Sequence, residues 1–351
     1  MCIDKQRFYF KNFLDFIDVG IWEKLETIQN QELHDKACQL PKLLDAAFSE
    51  ATLAKYKTAW AKWVNWCSRY SEISHCPADP FFICIYLNDL VLAKSSLGTI
   101  ISTLCAIRWG HMRAGFNSPT SEPIVKLAFK GAKRLASTFS KSSKRKEPFT
   151  AELVQLIVNE YADSSNLIHL RFLIICVLGF AGFFRISELL NLKIKNLTRT
   201  ENSYEIFIEE SKTDQLREGN IVYIAETGNR TCPVHWLDVY LNKTKLINQP
   251  ESYLICRLAK TKVGHNAIGS QAITYQTARN TFNEHLKIIT SDSSTFGLHS
   301  LRSGGASAAA NLGVSDRLIG KHGRWSGSTS RDVYIKDSKE SRLDVGKNLG
   351  I

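Results

Sequence analysis

None of the nine cysteines in this 351-residue chain stands in a CxxC pair. They are scattered at positions 2, 38, 67, 76, 84, 105, 176, 232 and 256, which argues against a zinc site and against a disulfide framework. The pattern suits a reducing compartment where the thiols simply pack. No signal peptide is expected either, because MCIDKQRFYFKNFLDF has no uninterrupted apolar core. The longest apolar run, Phe172 to Phe184, is too short to span a bilayer and ends on Arg185, so it reads as a buried helix. A soluble, intracellular protein without a membrane partner is expected. Acidic residues are outnumbered, 34 Asp and Glu against 45 Lys and Arg, for a formal charge of +11. That surplus favours a polyanionic partner, but alone it predicts only weak, salt-sensitive attraction.

No internal repeat is visible, and no alternating strand pattern occurs before about residue 200. The length predicts two domains. Residues 1–44 are mixed in character and read as an N-terminal extension. From Thr52 the text becomes helical, with Leu53, Tyr56, Trp60, Trp63 and Cys67 on one stripe. Three further helical segments follow, so residues 45–136 are expected to form a small helical bundle. Residues 137–149 are Ser-rich, basic and closed by Pro148, the composition of an interdomain linker. Between Ser121 and Pro148 there are eight Lys or Arg against two Glu. Lys141, Lys144, Arg145 and Lys146 are therefore either part of a solvated tether or DNA-backbone contacts. KSSKRK, from Lys141 to Lys146, would also serve as a nuclear targeting signal in a eukaryote.

The second domain is expected over 150–351. Thr150 offers an N-cap, and helices run to about Leu192. YEIFI (204–208) and NIVYI (220–224) then alternate like a β-hairpin around a charged tip. Helices are expected to resume at CPVHWLDVYLNKT and to continue to the C-terminus. The fold class predicted is mainly α with a small β-hairpin or sheet, α+β.

Several residues invite a chemical reading, and each has an ordinary alternative. Arg185, in GFFRISELL, precedes Glu188 by one turn, a spacing that usually means a local ion pair. Lys212, in ESKTDQ, is by itself an exposed lysine. His299 and Arg302, in GLHSLRSGG, could be a helix start with two polar residues. Trp325 and Tyr334, nine residues apart in GRWSGSTSRDVY, could be packing residues.

Taken in order and spacing, these segments resemble the tyrosine recombinase (phage integrase) family, from about Thr150 to Asp337. SKTDQ, CPV and GRWSGS look most like recombinases of eukaryotic crypton and DIRS-like mobile elements. The resemblance implies a SAM-like core DNA-binding domain followed by a catalytic domain. It implies a site-specific recombinase or integrase that cleaves and rejoins DNA through a 3′-phosphotyrosine intermediate. Its catalytic residues would be Arg185, Lys212, His299, Arg302, Trp325 and Tyr334, with Glu188 supporting them. Trp325 stands where bacterial members carry His, a substitution the family itself uses. The spacing to Tyr334 favours Trp325 over His322, three residues earlier, which is left as a helper or bystander.

Transesterification at a phosphodiester needs a nucleophile, an acid for the leaving group and neutralisation of charge on the pentacoordinate phosphorus. The chain has no carboxylate cluster suited to a two-metal site, so that charge falls to side chains, and no metal, ATP or other cofactor is expected. Two arginines suit the task as permanent, planar, bidentate cations. Tyr334 would attack, with His299 as proton acceptor and Lys212 as acid for the 5′-oxygen. Trp325 would donate its indole N–H to a phosphate oxygen. The expected partner is double-stranded DNA, bound by a monomer or dimer that assembles into a synaptic homotetramer. The expected location is the nucleus in a eukaryotic host and the cytoplasm otherwise. Two rivals remain: a domesticated DNA-binding protein without strand exchange, and a type IB topoisomerase.

Overall fold

The computed structural model describes residues 20–139, 145–209, 219–262 and 264–348. The chain divides into two compact units, Met1–Ser143 and Lys144–Ile351.

The first unit is helical. Three short helices, α1 (Lys24–Thr27), α2 (Gln31–Ala37) and α3 (Leu40–Asp45), precede α4 (Glu50–Cys67), α5 (Pro80–Leu92), α6 (Leu97–Ala114) and α7 (Pro123–Phe139). Ser49, Asp79 and Ser96 cap α4, α5 and α6, each accepting a backbone N–H of the first turn. The aromatic stripe of α4 turns inward. Trp63 is fully buried and stacks on Trp66 at 5.5 Å, and both rings meet Tyr86. Trp60 lies so close to α6 that a Cβ on Gly110 would fall 2.1 Å from its ring. The residues just ahead of α1 are packed as well. Trp22 is buried and donates its indole N–H to the Arg113 carbonyl at 2.8 Å.

The second unit is built around α9 (Leu167–Ala181), whose apolar residues are buried on every side. It can be apolar all round because α8 (Ala151–Tyr161), α11 (Pro233–Thr244), α12 (Tyr275–Ile289) and α13 (Leu298–Asn311) all pack on it. Between α9 and α11 lie α10 (Ile186–Asn191) and a three-stranded antiparallel sheet of β1 (Leu197–Arg199), β2 (Ser203–Ile208) and β3 (Asn220–Ala225). Its register pairs Tyr204 with Ile224 and Ile206 with Val222, which places the buried face of the hairpin on the core. The chain ends in α14 (Asp316–Gly323), α15 (Ser328–Asp332) and α16 (Lys339–Lys347). This is the α+β class the sequence predicts.

One stretch differs from expectation. Residues 256–272, read as part of a helical continuation, form a second antiparallel hairpin of β4 (Cys256–Thr261) and β5 (Gly264–Ala272). Its strands are mostly exposed or half-buried, so no apolar alternation develops to announce them. The backbone holds it instead, as where Tyr253 N–H donates to the Gly269 carbonyl at 2.8 Å.

Candidate active site

Helix α9 ends at Ala181, and the chain turns through Gly182 and Phe183 before α10 begins. Phe183 sits in the left-handed region at φ +46°, an uncommon conformation for a bulky residue. Arg185 is the N-cap of α10 and Glu188 its third residue, a spacing that folds the acid back on the cap. Glu188 accepts the Arg185 backbone N–H at 2.8 Å and its guanidinium Nη1 at 2.5 Å. The local ion pair suggested by the sequence is therefore present, and both side chains are buried.

Arg302 lies on α13, which packs against this turn with almost no gap. A Cβ on Gly305 would fall 2.1 Å from the Phe180 carbonyl oxygen, and one on Gly304 would fall 2.1 Å from that of Phe149. Arg302 itself is fully buried rather than at a solvent-facing edge. Its guanidinium donates to the carbonyls of Phe183 and Gly323. Trp325 and Tyr334 cover it, their ring centroids 4.4 and 5.1 Å from its central carbon. The same two rings lie 5.3 Å apart.

His299, three residues earlier on α13, is exposed, and its ring stands 6.4 Å from that of Tyr334. His299 and Tyr334 line a cavity of about 440 Å³ with Ser303, Lys336, Arg145 and Lys146. The segment carrying Tyr334 is held from α13, because the Ser307 hydroxyl donates to the Tyr334 carbonyl and accepts from Lys336 N–H. It is held from the linker side too. Arg145 donates to the Val333 carbonyl and Lys336 pairs with Glu147. Lys146 reaches the Ser294 carbonyl. Of the predicted site residues, Lys212, Lys141 and Lys144 lie outside the described residues.

The indole N–H of Trp325 is buried and, among the described residues, donates to nothing. A buried donor without an acceptor is costly, and an incoming oxygen would satisfy it. His322 is occupied differently: its Nε2–H donates to the Ala181 carbonyl at 2.8 Å and its ring sits edge-on to Phe183. Burial lowers its pKa, and Arg324 and Arg302 lower it further against the Ala181 hydrogen bond, so the ring is neutral at pH 7.

Sequence reading passed over Arg324. Its side chain is 2% exposed and donates to Glu188 at 2.8 Å, and to the carbonyls of Phe183, Gly182 and His322. Glu188 thereby meets three guanidinium groups, with Arg302 Nη1 at 4.0 Å. Burial alone would raise the Glu188 pKa, but Arg324 and then Arg185 hold it below its ordinary value. Arg302 feels the reverse: burial, then repulsion from Arg185 and Arg324, pull it down to about 9, which still leaves it charged at neutral pH. Three buried cations around one anion make a site short of negative charge, suited to a phosphodiester.

A family model described as the phage integrase family matches residues 147–341. An integrase/recombinase xerD homolog from Selenomonas ruminantium is 28% identical over 297 residues, which cover 84% of this chain and 83% of that protein. Among solved structures, the XerH site-specific recombinase bound to a palindromic difH substrate, in a post-cleavage complex, shares the fold. Its TM-score is 0.58 at 14% identity, covering 93% of this chain and 86% of that one. The Tn1549 transposon integrase in complex with transposon right end DNA has a TM-score of 0.50 at 12% identity, covering 86% and 94%. Among the described residues, no helix is long and apolar enough to cross a membrane.

Proposed function

The chain belongs to the phage integrase family of tyrosine recombinases, which cleave and rejoin DNA through a phosphotyrosine intermediate, and from that premise we propose how its residues divide the reaction. Tyr334 attacks the scissile phosphorus, its phenolic oxygen forming a new bond as the bond to the 5′-oxygen breaks. The phenol proton passes to His299. Lys212 supplies the proton that the departing 5′-oxygen takes up. Arg185 and Arg302 neutralise the non-bridging oxygens of the pentacoordinate state, and Trp325 adds its unpaired indole N–H. One preorganised donor of this kind is worth about 3–4 kcal/mol of transition-state stabilisation. Glu188 orients Arg185.

The observation that carries this reading is the stack of Trp325 and Tyr334 on the Arg302 guanidinium, with His299 beside Tyr334. Because Arg302 is fully buried beneath those rings, contact with a phosphate requires one of them to swing aside. The site would thus open as DNA seats and close around the phosphate.

The finer parts of the reading follow from the resemblance. The helical segment 45–136 would form the core DNA-binding domain, and the basic linker 137–149 would lie along the backbone through Lys141, Lys144, Arg145 and Lys146. The host element would be a mobile element of the crypton or DIRS-like kind, and the enzyme nuclear in a eukaryotic host. Four protomers would assemble on paired sites.

The test uses a nicked duplex carrying the target site, which traps the covalent complex when the short strand diffuses away. Wild type is expected to give a denaturant-stable protein–DNA adduct, and Tyr334→Phe none. A wild-type protein that binds that DNA and forms no adduct would overturn the reading in favour of a DNA-binding protein. Relaxation of arbitrary supercoiled DNA without strand exchange would favour a topoisomerase.

A further inference from the structure

Arg324 fills none of the roles given above, yet few side chains in the second unit are bonded so heavily. It closes α14 in the left-handed conformation, φ +55°, that glycine adopts most easily at a helix end. A backbone held there without glycine is strained, and such strain is often found where function depends on the side chain. Its Nη2 bonds Glu188 Oε2 at 2.8 Å and the Phe183 carbonyl at 3.0 Å. Its Nη1 bonds the carbonyls of His322 at 2.9 Å and Gly182 at 3.3 Å. Phe184 lies against the guanidinium face, 5.2 Å from ring centroid to central carbon.

Consider Glu188 without it. A buried carboxylate 2.5 Å from the Arg185 guanidinium would form a neutral pair, and Arg185 would have little charge left to offer a phosphate. Glu188 cannot simply be absent from the fold, because it caps the first turn of α10 through the Arg185 backbone N–H. Arg324 resolves the conflict by binding the same carboxylate from the other side. The carboxylate is then balanced by a cation whose side chain is itself buried.

We infer that Arg324 is a positioning residue: it neutralises Glu188, so that the charges of Arg185 and Arg302 stay available to the scissile phosphate. This rests on the assignment of those two arginines to the phosphate. It places a third arginine in the electrostatics of the site without contact with the substrate.

The experiment compares wild type, Arg324→Gln, Glu188→Gln and the double variant in single-turnover adduct formation on the nicked duplex, with DNA affinity measured separately. Wild type is measured first, and its failure to form an adduct would sink the functional reading rather than this inference. Given an active wild type, Arg324→Gln should slow the reaction by roughly a hundredfold, with affinity changed far less. The double variant should react like Glu188→Gln alone, within about threefold, because no carboxylate remains to be neutralised. It should therefore be faster than Arg324→Gln. A second readout replaces the scissile phosphodiester with a neutral methylphosphonate, on which the Arg324→Gln deficit should shrink. If the double variant is slower than Glu188→Gln by more than about tenfold and the deficit is equal on both substrates, Arg324 only packs the fold. Should Arg324→Gln fail to fold, the double variant and Glu188→Gln, compared on both substrates, separate the two roles in the same way.

Discussion

Replacing Gly305 with alanine adds one methyl group where α13 rests on the end of α9. On this backbone the new carbon falls 2.1 Å from the Phe180 carbonyl oxygen and 2.6 Å from the Phe183 ring. Non-bonded heavy atoms rest at about 3.5 Å, so the helix must retreat by roughly 1 Å. Overpacking of this sort costs about 1–3 kcal/mol. In a unit the size of Lys144–Ile351 that lowers melting by roughly 2–12 °C. Activity should suffer more than stability. Arg302 sits on the displaced helix and is anchored on the Phe183 carbonyl, and an error of about 1 Å in a catalytic group can cost about a hundredfold in rate. Thermal unfolding and single-turnover adduct formation measure the two effects. Gly320→Ala, on α14, is the control: its Cβ would meet nothing within 4 Å, so it should be neutral or stabilising by about 0.5–1 kcal/mol. The reasoning is refuted if Gly305→Ala melts within about 1 °C of wild type and reacts at the wild-type rate.

Trp325→Phe removes a buried N–H that has no acceptor among the described residues, so the stability change should stay within about 1 kcal/mol while adduct formation slows by roughly a hundredfold or more, the worth of one preorganised donor; an unchanged rate would remove Trp325 from the phosphate contacts. Arg145→Ala frees the Val333 carbonyl beside Tyr334, and since Arg145 is exposed, unfolding should shift by no more than about 0.5 kcal/mol. The reaction of pre-bound DNA should nevertheless slow, whereas weaker binding with an unchanged bound-state rate would make Arg145 a binding residue only. His111 makes the first unit acid-sensitive. It is fully buried, accepts from Ala78 N–H at 2.9 Å, and donates through Nδ1 to the Ile107 carbonyl at 2.7 Å. Burial lowers its pKa from the ordinary 6.5, so below that pH the unfolded chain takes up a proton that the folded ring resists, and stability falls. One such group contributes at most about 1.4 kcal/mol per pH unit, read by tryptophan fluorescence, and His111→Gln should flatten the slope as pH falls below about 6.5. An identical slope in the variant would refute the assignment.

Local patterns carried much of the fold and most of the candidate site. The aromatic stripe of α4 is visible because helical spacing puts Trp60, Trp63 and Cys67 on one face, and all three are buried. Arg185 and Glu188 are legible because an N-cap and its third residue are close in sequence. Arg324 was not, because its partner Glu188 is 136 residues away and nothing in GRW hints at it. The burial of Arg302 was equally hidden, since it depends on two rings from a later segment closing over the guanidinium. Even the small residues after Arg302 gave only half their meaning. That α13 packs closely could be guessed, but that Gly304 and Gly305 meet backbone oxygens of two other segments follows only from the tertiary fold. The β4–β5 hairpin escaped because its side chains bury too little to impose a period of two.

The central claim is that Tyr334 becomes bonded to the 3′ side of the broken strand. The direct measurement is to trap the adduct on a nicked duplex, digest protein and DNA, and locate the residual nucleotide by mass spectrometry, with the cleaved strand labelled at either end. The account predicts a nucleotide 3′-phosphate on the peptide containing Tyr334 and a freed fragment that begins with a 5′-hydroxyl. A nucleotide on any other residue, or protein attached to the 5′ side of the cut, would contradict it.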